Sequence, residues 1–148
     1  MRSSGVLMHL SSLPSPYGIG TMGKQAKQFV DFLEKAGQTY WQMLPICPTS
    51  YGDSPYQSFS TFAGNPYFID LDTLVEEGVL DKKDCEKVNW GKKPDEVDYE
   101  KIYKGRYPLL RKAYENSDIS KNPDYQKFVA ENSWWLSDYA LFLSLIHI

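Results

Sequence analysis

The stretch GVLMHL at residues 5–10 is short and almost wholly apolar, and it decides the fold. The turn-forming segment 11–18 follows it, so the stretch predicts a buried strand that ends in a loop. A second aromatic and apolar run, YWQMLPI at residues 40–46, is bounded by Pro45 and Pro48 and predicts another buried strand. The first third of the sequence therefore predicts two strands.

The segment between these two runs predicts a helix. Apolar residues recur there at helical spacing, and charged or amide side chains occupy the opposite side. Gly37 supplies the expected end of the helix. Because two strands joined by a crossover helix form a right-handed parallel unit, we expect an α/β fold that begins with a β-α-β unit. The apolar positions of the predicted helix are Ala26, Phe29, Val30, Leu33 and Ala36.

A long loop rich in Pro, Gly, Ser and aromatic residues follows at residues 48–67. Loops of this length inside a compact domain are uncommon and often functional. Residues 68–71 predict a weak strand or an extended segment. Residues 72–78 predict one or two helical turns, with Asp72 or Thr73 as the N-terminal cap.

The second half of the chain predicts mainly helices. Residues 81–96 are charged and poor in hydrophobic side chains, so we expect a solvated excursion over the surface. Residues 101–114 predict a helix, although Pro108 inside it costs about 3 kcal/mol and favours a start near that proline instead. Two further apolar patterns, at 124–128 and 133–143, also predict helices.

Length, composition and charge exclude several classes of protein. A chain of 148 residues is in the range of one domain, and 42% hydrophobic residues supply a core. The net charge is −3 and the basic residues are dispersed, which excludes the clustered basic surface that binding to nucleic acid needs. The apolar stretches are shorter than the roughly 18 residues of a membrane helix, so we expect no membrane partner and a cytoplasmic protein. Cys47 and Cys85 are isolated and predict neither a disulfide framework nor a zinc site.

The densest cluster of polar and aromatic residues is YGDSPYQSFS at residues 51–60. Flat aromatic faces suit the apolar side of a pyranose ring, and hydroxyl, amide and carboxylate groups can orient its hydroxyls. The same residue types also occur in any ordered loop whose tyrosines pack it against the protein. Composition alone leaves both sugar binding and a structural loop open.

No complete set of catalytic residues is visible as a local pattern. A retaining glycosyl transfer needs two carboxyl groups about 5–5.5 Å apart, and Asp53 is the only acid in the loop. Asp70 and Asp72 follow, but their position favours a helix cap. The chain has no GxSxG or GxxxxGK[ST] pattern, and neither His9 nor His147 is linked to a nucleophile.

Four motifs carry a resemblance to one enzyme family. Three of them are SSLPSPYGIG at residues 11–20, YWQMLP at 40–45 and YGDSPYQSFSTFAGNPY at 51–67. Together with WWLSDYALF at 134–142, they closely resemble the 4-alpha-glucanotransferases, which are also called amylomaltases or disproportionating enzymes. The resemblance spans residues 5 to about 143, and the long central motif is highly specific.

The resemblance implies a TIM-type (β/α)8 barrel of which this chain is an N-terminal fragment. Residues 1–47 would form the first β-α-β unit and residues 48–148 an inserted, mainly helical and loop-rich subdomain, so we expect an incomplete barrel. In such a barrel the sites are built from loops at the carboxyl ends of the strands. The tail at 144–148 departs from the family pattern, and the chain looks cut.

The resemblance also implies an activity. Members of the family transfer α-1,4-glucan segments between maltooligosaccharides by double displacement, without a metal or an organic cofactor. Their nucleophilic Asp, acid/base Glu and stabilising Asp come from later strands and have no counterpart in this chain. We therefore expect no catalytic residue here, an inactive fragment, and the missing C-terminal part of the same enzyme as its partner.

Several loop residues match substrate-binding residues of the family. Ser54 and Tyr56 correspond to residues that line the sugar subsites near the catalytic centre. Asp53 and Gln57 flank them, and the resemblance implies that they orient the sugar. We expect all four to bind a maltooligosaccharide or another α-1,4-glucan.

Two tyrosines, Tyr51 and Tyr103, resemble a pair of aromatic residues that form an additional glucan-binding patch in the family. As an alternative, these rings could bind sugar without chemistry, in a free-standing carbohydrate-binding module. A purely structural domain is a third hypothesis. The unpaired strand edges and apolar faces of an incomplete barrel would favour aggregation.

Overall fold

The computed structural model describes residues 2–93 and 95–146. Its N-terminal part contains strand β1 (Gly5–Leu7), helix α1 (Lys24–Lys35) and strand β2 (Tyr40–Gln42). The two strands pair in parallel, with Val6 opposite Trp41. The predicted β-α-β unit is confirmed, and the crossover helix ends as predicted because the next glycine adopts a left-handed φ of 66°.

Both strands are shorter and more exposed than predicted. Leu10 already belongs to a 3-10 turn, and the Leu7 and Tyr40 side chains are 59% and 62% exposed. The prediction of buried strands is wrong for these residues, because a two-stranded sheet has only one crossover helix to cover it. That helix covers part of one face, where the Trp41 and Phe29 ring centroids lie 4.9 Å apart.

Two short helical segments follow the long loop. A 3-10 turn at Pro66–Phe68 leads into α2 (Leu71–Glu76). Of the two alternatives predicted for residues 68–71, the strand is wrong and the extended segment is confirmed at Ile69 and Asp70, whose backbones are extended. The cap of α2 is Asp70, whose carboxylate accepts a hydrogen bond from the Thr73 backbone N–H at 3.0 Å. The sequence pattern predicted Asp72 or Thr73 as the cap, but both residues lie inside α2.

Helix α3 (Lys82–Glu86) lies in the charged segment for which the sequence predicts a surface excursion. Asp81 caps it by accepting a hydrogen bond from the Lys83 N–H at 2.9 Å. The Cys85 side chain is fully buried, and Trp90 Nε1 donates to the Cys85 carbonyl at 2.9 Å. The prediction missed this helix because a single turn is too short to show a periodic apolar pattern.

Helix α4 (Tyr99–Asn116) is continuous through Pro108. The predicted helix is confirmed, and the alternative start near the proline is wrong. Pro108 is exposed, so water can reach the Lys104 carbonyl that a proline leaves without an N–H donor. The remaining elements are a 3-10 turn (Ile119–Lys121), α5 (Pro123–Glu131) and α6 (Ser133–Ile146). Both helices were predicted.

Two clusters of buried side chains form the core. The first joins the loop after β1 to the 3-10 turn at Pro66–Phe68 and to α4, and its buried members are Leu10, Leu13, Ile19, Tyr67, Phe68 and Ile102. The second joins the same loop to α2, α3 and α4, and its buried members are Tyr17, Leu71, Leu80, Cys85, Leu109 and Ala113. Both clusters pack residues of the N-terminal unit against residues of the helical part.

Within residues 2–93 and 95–146, none of the helices is long and apolar enough to cross a membrane. Cys47 and Cys85 are both free thiols, as the sequence predicts. The interpretation of His147, to which the sequence assigns no role, falls outside the described residues.

Candidate functional site

An antiparallel bridge holds two parts of the long loop together. Thr49 and Ser58 form an antiparallel bridge. At the tip, Gly52 and Asp53 have left-handed φ values of 91° and 53°, and the Thr49 hydroxyl donates to the Asp53 carboxylate at 3.3 Å. Asp53 is the one non-glycine residue with a positive φ in the described part of the chain. Such a conformation is uncommon for a residue with a side chain and is often found at functional sites.

A cavity of about 550 Å³ lies between this loop, the 3-10 turn at Pro66–Phe68, α4 and α6. This volume is within the roughly 300–1,000 Å³ that is typical of ligand pockets. We call it the tyrosine cavity, because six tyrosines line it: Tyr51, Tyr67, Tyr99, Tyr103, Tyr107 and Tyr139.

Three of these tyrosines lie along one stripe of α4. Tyr99, Tyr103 and Tyr107 are four residues apart, and the Tyr103 and Tyr107 ring centroids are separated by 5.1 Å. Tyr67, from the 3-10 turn, lies 6.0 Å from Tyr107 and 6.3 Å from Tyr99 between ring centroids. The sequence analysis identified only Tyr103 of these four, although the four-residue spacing is a signal that points to its neighbours on α4.

Burial keeps the phenol groups of the cavity neutral. It is the main cause that raises the pKa of Tyr67, Tyr99 and Tyr107 above the ordinary value of 10.0. The negative charge of Asp53 raises the pKa of all three further. A neutral phenol both donates and accepts hydrogen bonds, so these groups are chemically suited to sugar hydroxyls.

The tyrosine cavity brings together three of the six residues that the sequence predicts for the site. Tyr51, Asp53 and Tyr103 all line it. The Tyr51 side chain is 100% exposed, and that of Tyr103 is 47% exposed. Both rings are therefore open to a ligand in solution.

The other three predicted residues are near the cavity in sequence but do not line it. The Ser54 hydroxyl accepts a hydrogen bond from the Tyr56 N–H at 3.4 Å, and the Ser54 carbonyl accepts one from the Gln57 N–H at 3.1 Å. The Tyr56 ring is 71% exposed. In this structure Ser54 shapes the loop, while Tyr56 and Gln57 face solvent.

A small cavity of about 20 Å³ adjoins the tyrosine cavity, and Asp53 and Tyr99 line both. His9, two residues after β1, also lines the small cavity. The His9 Nδ1 atom is buried and has no hydrogen-bond partner among the described residues. Burial lowers the pKa of His9 below its ordinary value of 6.5, which favours the neutral ring. The space suits a single water molecule.

Glu100 in the cavity wall, and Asp70 and Asp72 outside the cavity, make structural contacts. Glu100 lines the cavity and forms an exposed ion pair with Lys104. Asp70 caps α2, as its position in the sequence favoured, and Asp72 accepts a hydrogen bond from the Tyr17 hydroxyl at 2.6 Å. The cavity thus has the features of a binding site: aromatic faces, neutral phenols and one loop carboxylate.

Comparison with known proteins identifies the family. A family model described as 4-alpha-glucanotransferase matches residues 8–147. The 4-alpha-glucanotransferase of Clostridium butyricum is 55% identical over 138 residues, which make up 93% of this chain and 28% of that protein. The 4-alpha-glucanotransferase of Thermus thermophilus is 45% identical over 97% of this chain and 29% of its own length. The chain belongs to the 4-alpha-glucanotransferase family.

A solved structure supports the same assignment. The amylomaltase from Streptococcus agalactiae in complex with acarbose matches with a TM-score of 0.88 and 43% sequence identity. The match covers 98% of this chain and 30% of that one. The resemblance inferred from the four motifs is thereby confirmed, and so is the α/β fold. The chain spans less than a third of the length of these relatives.

Proposed function

We propose that this chain supplies a glucan-binding surface of a 4-alpha-glucanotransferase. The complete enzyme would transfer α-1,4-glucan segments between maltooligosaccharides by a retaining double displacement. The observation that carries the proposal is the tyrosine cavity, which combines aromatic faces with neutral phenols and the Asp53 carboxylate. The acarbose complex of the amylomaltase from Streptococcus agalactiae supports an oligosaccharide as the ligand.

The chemistry of the cavity suggests how a glucan would bind. The fully exposed Tyr51 ring and the half-exposed Tyr103 ring can stack on the apolar faces of glucose units. The phenol groups of Tyr67, Tyr99 and Tyr107 can exchange hydrogen bonds with sugar hydroxyls. The Asp53 carboxylate, together with Ser54, Tyr56 and Gln57 at the edge of the loop, would orient the chain of sugars.

The reaction itself would depend on acids that this sequence does not contain. A retaining transfer needs a carboxylate nucleophile and a second carboxyl group with a raised pKa. Hydrogen bonds from Lys112 and Lys101 lower the pKa values of the Asp84 and Asp98 carboxyl groups. That direction is opposite to what an acid catalyst requires. The proposed contribution of this chain is therefore to bind and orient the substrate.

We propose the following organisation for the enzyme. Residues 1–47 form the first β-α-β unit of a (β/α)8 barrel that this chain leaves incomplete, and residues 48–148 form an inserted, mainly helical subdomain. The shared core clusters would hold the two parts together. We also propose a cytoplasmic location, because the two free thiols suit a reducing compartment.

Calorimetric titration with maltoheptaose tests the proposed binding. The parent chain is expected to bind, and Tyr51→Ala and Tyr103→Ala are each expected to weaken binding by about 1–3 kcal/mol, as loss of an aromatic contact does elsewhere. Tyr114→Ala is the matched control, because Tyr114 is on α4 and 65% exposed but does not line the cavity. Equal affinity of all four proteins would refute the proposal.

The alternative of a free-standing carbohydrate-binding module predicts the same titration result but a different extent of the reading frame. In our proposal, this chain alone releases no glucose from maltotriose, because the transfer of a maltosyl group needs the absent acids. A complete enzyme containing this sequence would release glucose and form maltopentaose. Glucose release by the isolated chain would contradict our division of roles, and a reading frame that ends with this sequence in the native gene would favour the module.

A further inference from the structure

The largest fully buried side chain of the described residues is that of Arg106, in the middle of α4. Its Nη2 group donates a hydrogen bond to the Ile69 carbonyl, while Nε and Nη1 have no partner among the described residues. Burial lowers the pKa of Arg106 to about 10, so the side chain still carries a charge at neutral pH. A buried charge with two unpaired donors is costly, and an apolar side chain of similar size would fill the space more cheaply.

The partner of Arg106 is a fixed part of the structure. Ile69 ends the 3-10 turn at Pro66–Phe68 and precedes Asp70, the cap of α2. The Asp70 carboxylate is held by hydrogen bonds from the Thr21 hydroxyl at 2.7 Å and from the Thr73 hydroxyl at 2.9 Å. Arg106 therefore joins α4 to a turn that is itself anchored, and the charge of Asp70 stabilises the buried guanidinium.

The same two elements form the aromatic wall of the tyrosine cavity. Tyr103 and Tyr107 precede and follow Arg106 on α4, and Tyr67 belongs to the turn that Arg106 contacts. The Tyr67 and Tyr107 ring centroids are 6.0 Å apart. The Arg106 hydrogen bond and the rings of the cavity wall therefore involve the same two elements, α4 and the 3-10 turn.

We propose that Arg106 is a positioning residue for the glucan cavity. Its hydrogen bond to the Ile69 carbonyl fixes α4 against the 3-10 turn and thereby sets the distance of Tyr103 and Tyr107 from Tyr67. Arg106 touches no sugar and acts only through these rings. The inference rests on the proposed glucan-binding function and adds to it a residue outside the cavity.

Two substitutions of Arg106 and one matched control test this role by calorimetric titration with maltoheptaose. Arg106→Met fills the space without a donor, and we expect cooperative unfolding but at least about tenfold weaker binding, because a small displacement of binding groups is costly. Arg106→Lys keeps a nitrogen donor for the single hydrogen bond to the Ile69 carbonyl, and we expect an affinity within about threefold of the parent. Arg111→Met, on an exposed position of the same helix, is expected to leave the affinity unchanged.

Each outcome decides between positioning and mere stabilisation of the fold. Reduced affinity of a folded Arg106→Met variant together with recovery in Arg106→Lys supports the proposal. Parent-like affinity of the folded Arg106→Met variant overturns it. An unfolded Arg106→Met variant beside a lysine variant that unfolds less cooperatively than the parent also overturns it, since Arg106 would then hold the fold itself. If the parent chain does not bind maltoheptaose, the failure lies with the proposed function.

Discussion

The Thr21 hydroxyl donates to the Asp70 carboxylate at 2.7 Å, although 49 residues separate them in the sequence. This hydrogen bond connects the chain just before α1 to the cap of α2. The same carboxylate accepts hydrogen bonds from the Thr73 N–H and hydroxyl groups. Thr21 is 2% exposed, so the contact is largely protected from water. One side chain thus links the β-α-β unit to the helical part.

Replacing Gly23 with alanine is expected to break this link. The added Cβ would lie 2.3 Å from the Asp70 Cγ, and the carboxylate cannot move away without losing its threonine partners. We expect a loss of about 1–3 kcal/mol in the free energy of unfolding, measured by urea denaturation. The control is Gly64→Ala, whose Cβ would meet no atom within 4 Å and should change stability by at most about 0.5 kcal/mol. Equal losses in both variants would contradict this explanation.

The stability of the chain is expected to fall at acidic pH because of His9. Its pKa is lower in the folded protein than the ordinary 6.5, so protons bind the unfolded chain more readily. The contribution of the neutral ring is present above pH 6.5 and is lost as the pH falls through that value towards the folded pKa. In urea titrations between pH 8 and pH 5, the parent should lose more stability than His9→Asn. Parallel pH curves for the two proteins would show that His9 does not contribute.

The open sheet is expected to cause self-association. Leu7 on β1, Tyr40 on β2 and Phe32 on α1 are all more than half exposed, and the outer edge of each strand is unpaired in the described structure. Sedimentation velocity should show species larger than the monomer as the concentration rises. Phe32→Glu should shift the distribution towards the monomer, whereas Phe128→Glu, at an exposed position of α5, should not. A parent that stays monodisperse at all concentrations would refute this prediction.

The sequence predicted the helices that have a clear apolar side or a clear end. Helix α1 is amphipathic over twelve residues and is followed by Gly37, so its period and its end were both visible. Helix α3 has five residues and one buried side chain, Cys85, so no period could reveal it. The continuation of α4 through Pro108 depends on packing that lies outside the local sequence, since buried residues on both sides of the proline hold the helix together.

The candidate site could be predicted only in part, for a similar reason. The loop motif at residues 51–60 contains both Tyr51 and Asp53, and the family resemblance paired Tyr51 with Tyr103. Tyr67 and Tyr139 line the same cavity from distant elements, and only the fold brings them together. Arg106 was not predicted as a site residue. Its full burial and its single hydrogen bond are tertiary properties.

The most direct test of the glucan-binding cavity is a map of amide and aromatic NMR shifts in the isotopically labelled chain during titration with maltoheptaose. The largest changes are expected at residues that line the tyrosine cavity, including Tyr51, Asp53 and Tyr103. Saturating changes confined to other surfaces, such as the cavity between Pro14 and Trp90, would contradict the account. The absence of any saturable change up to millimolar maltoheptaose would contradict it as well.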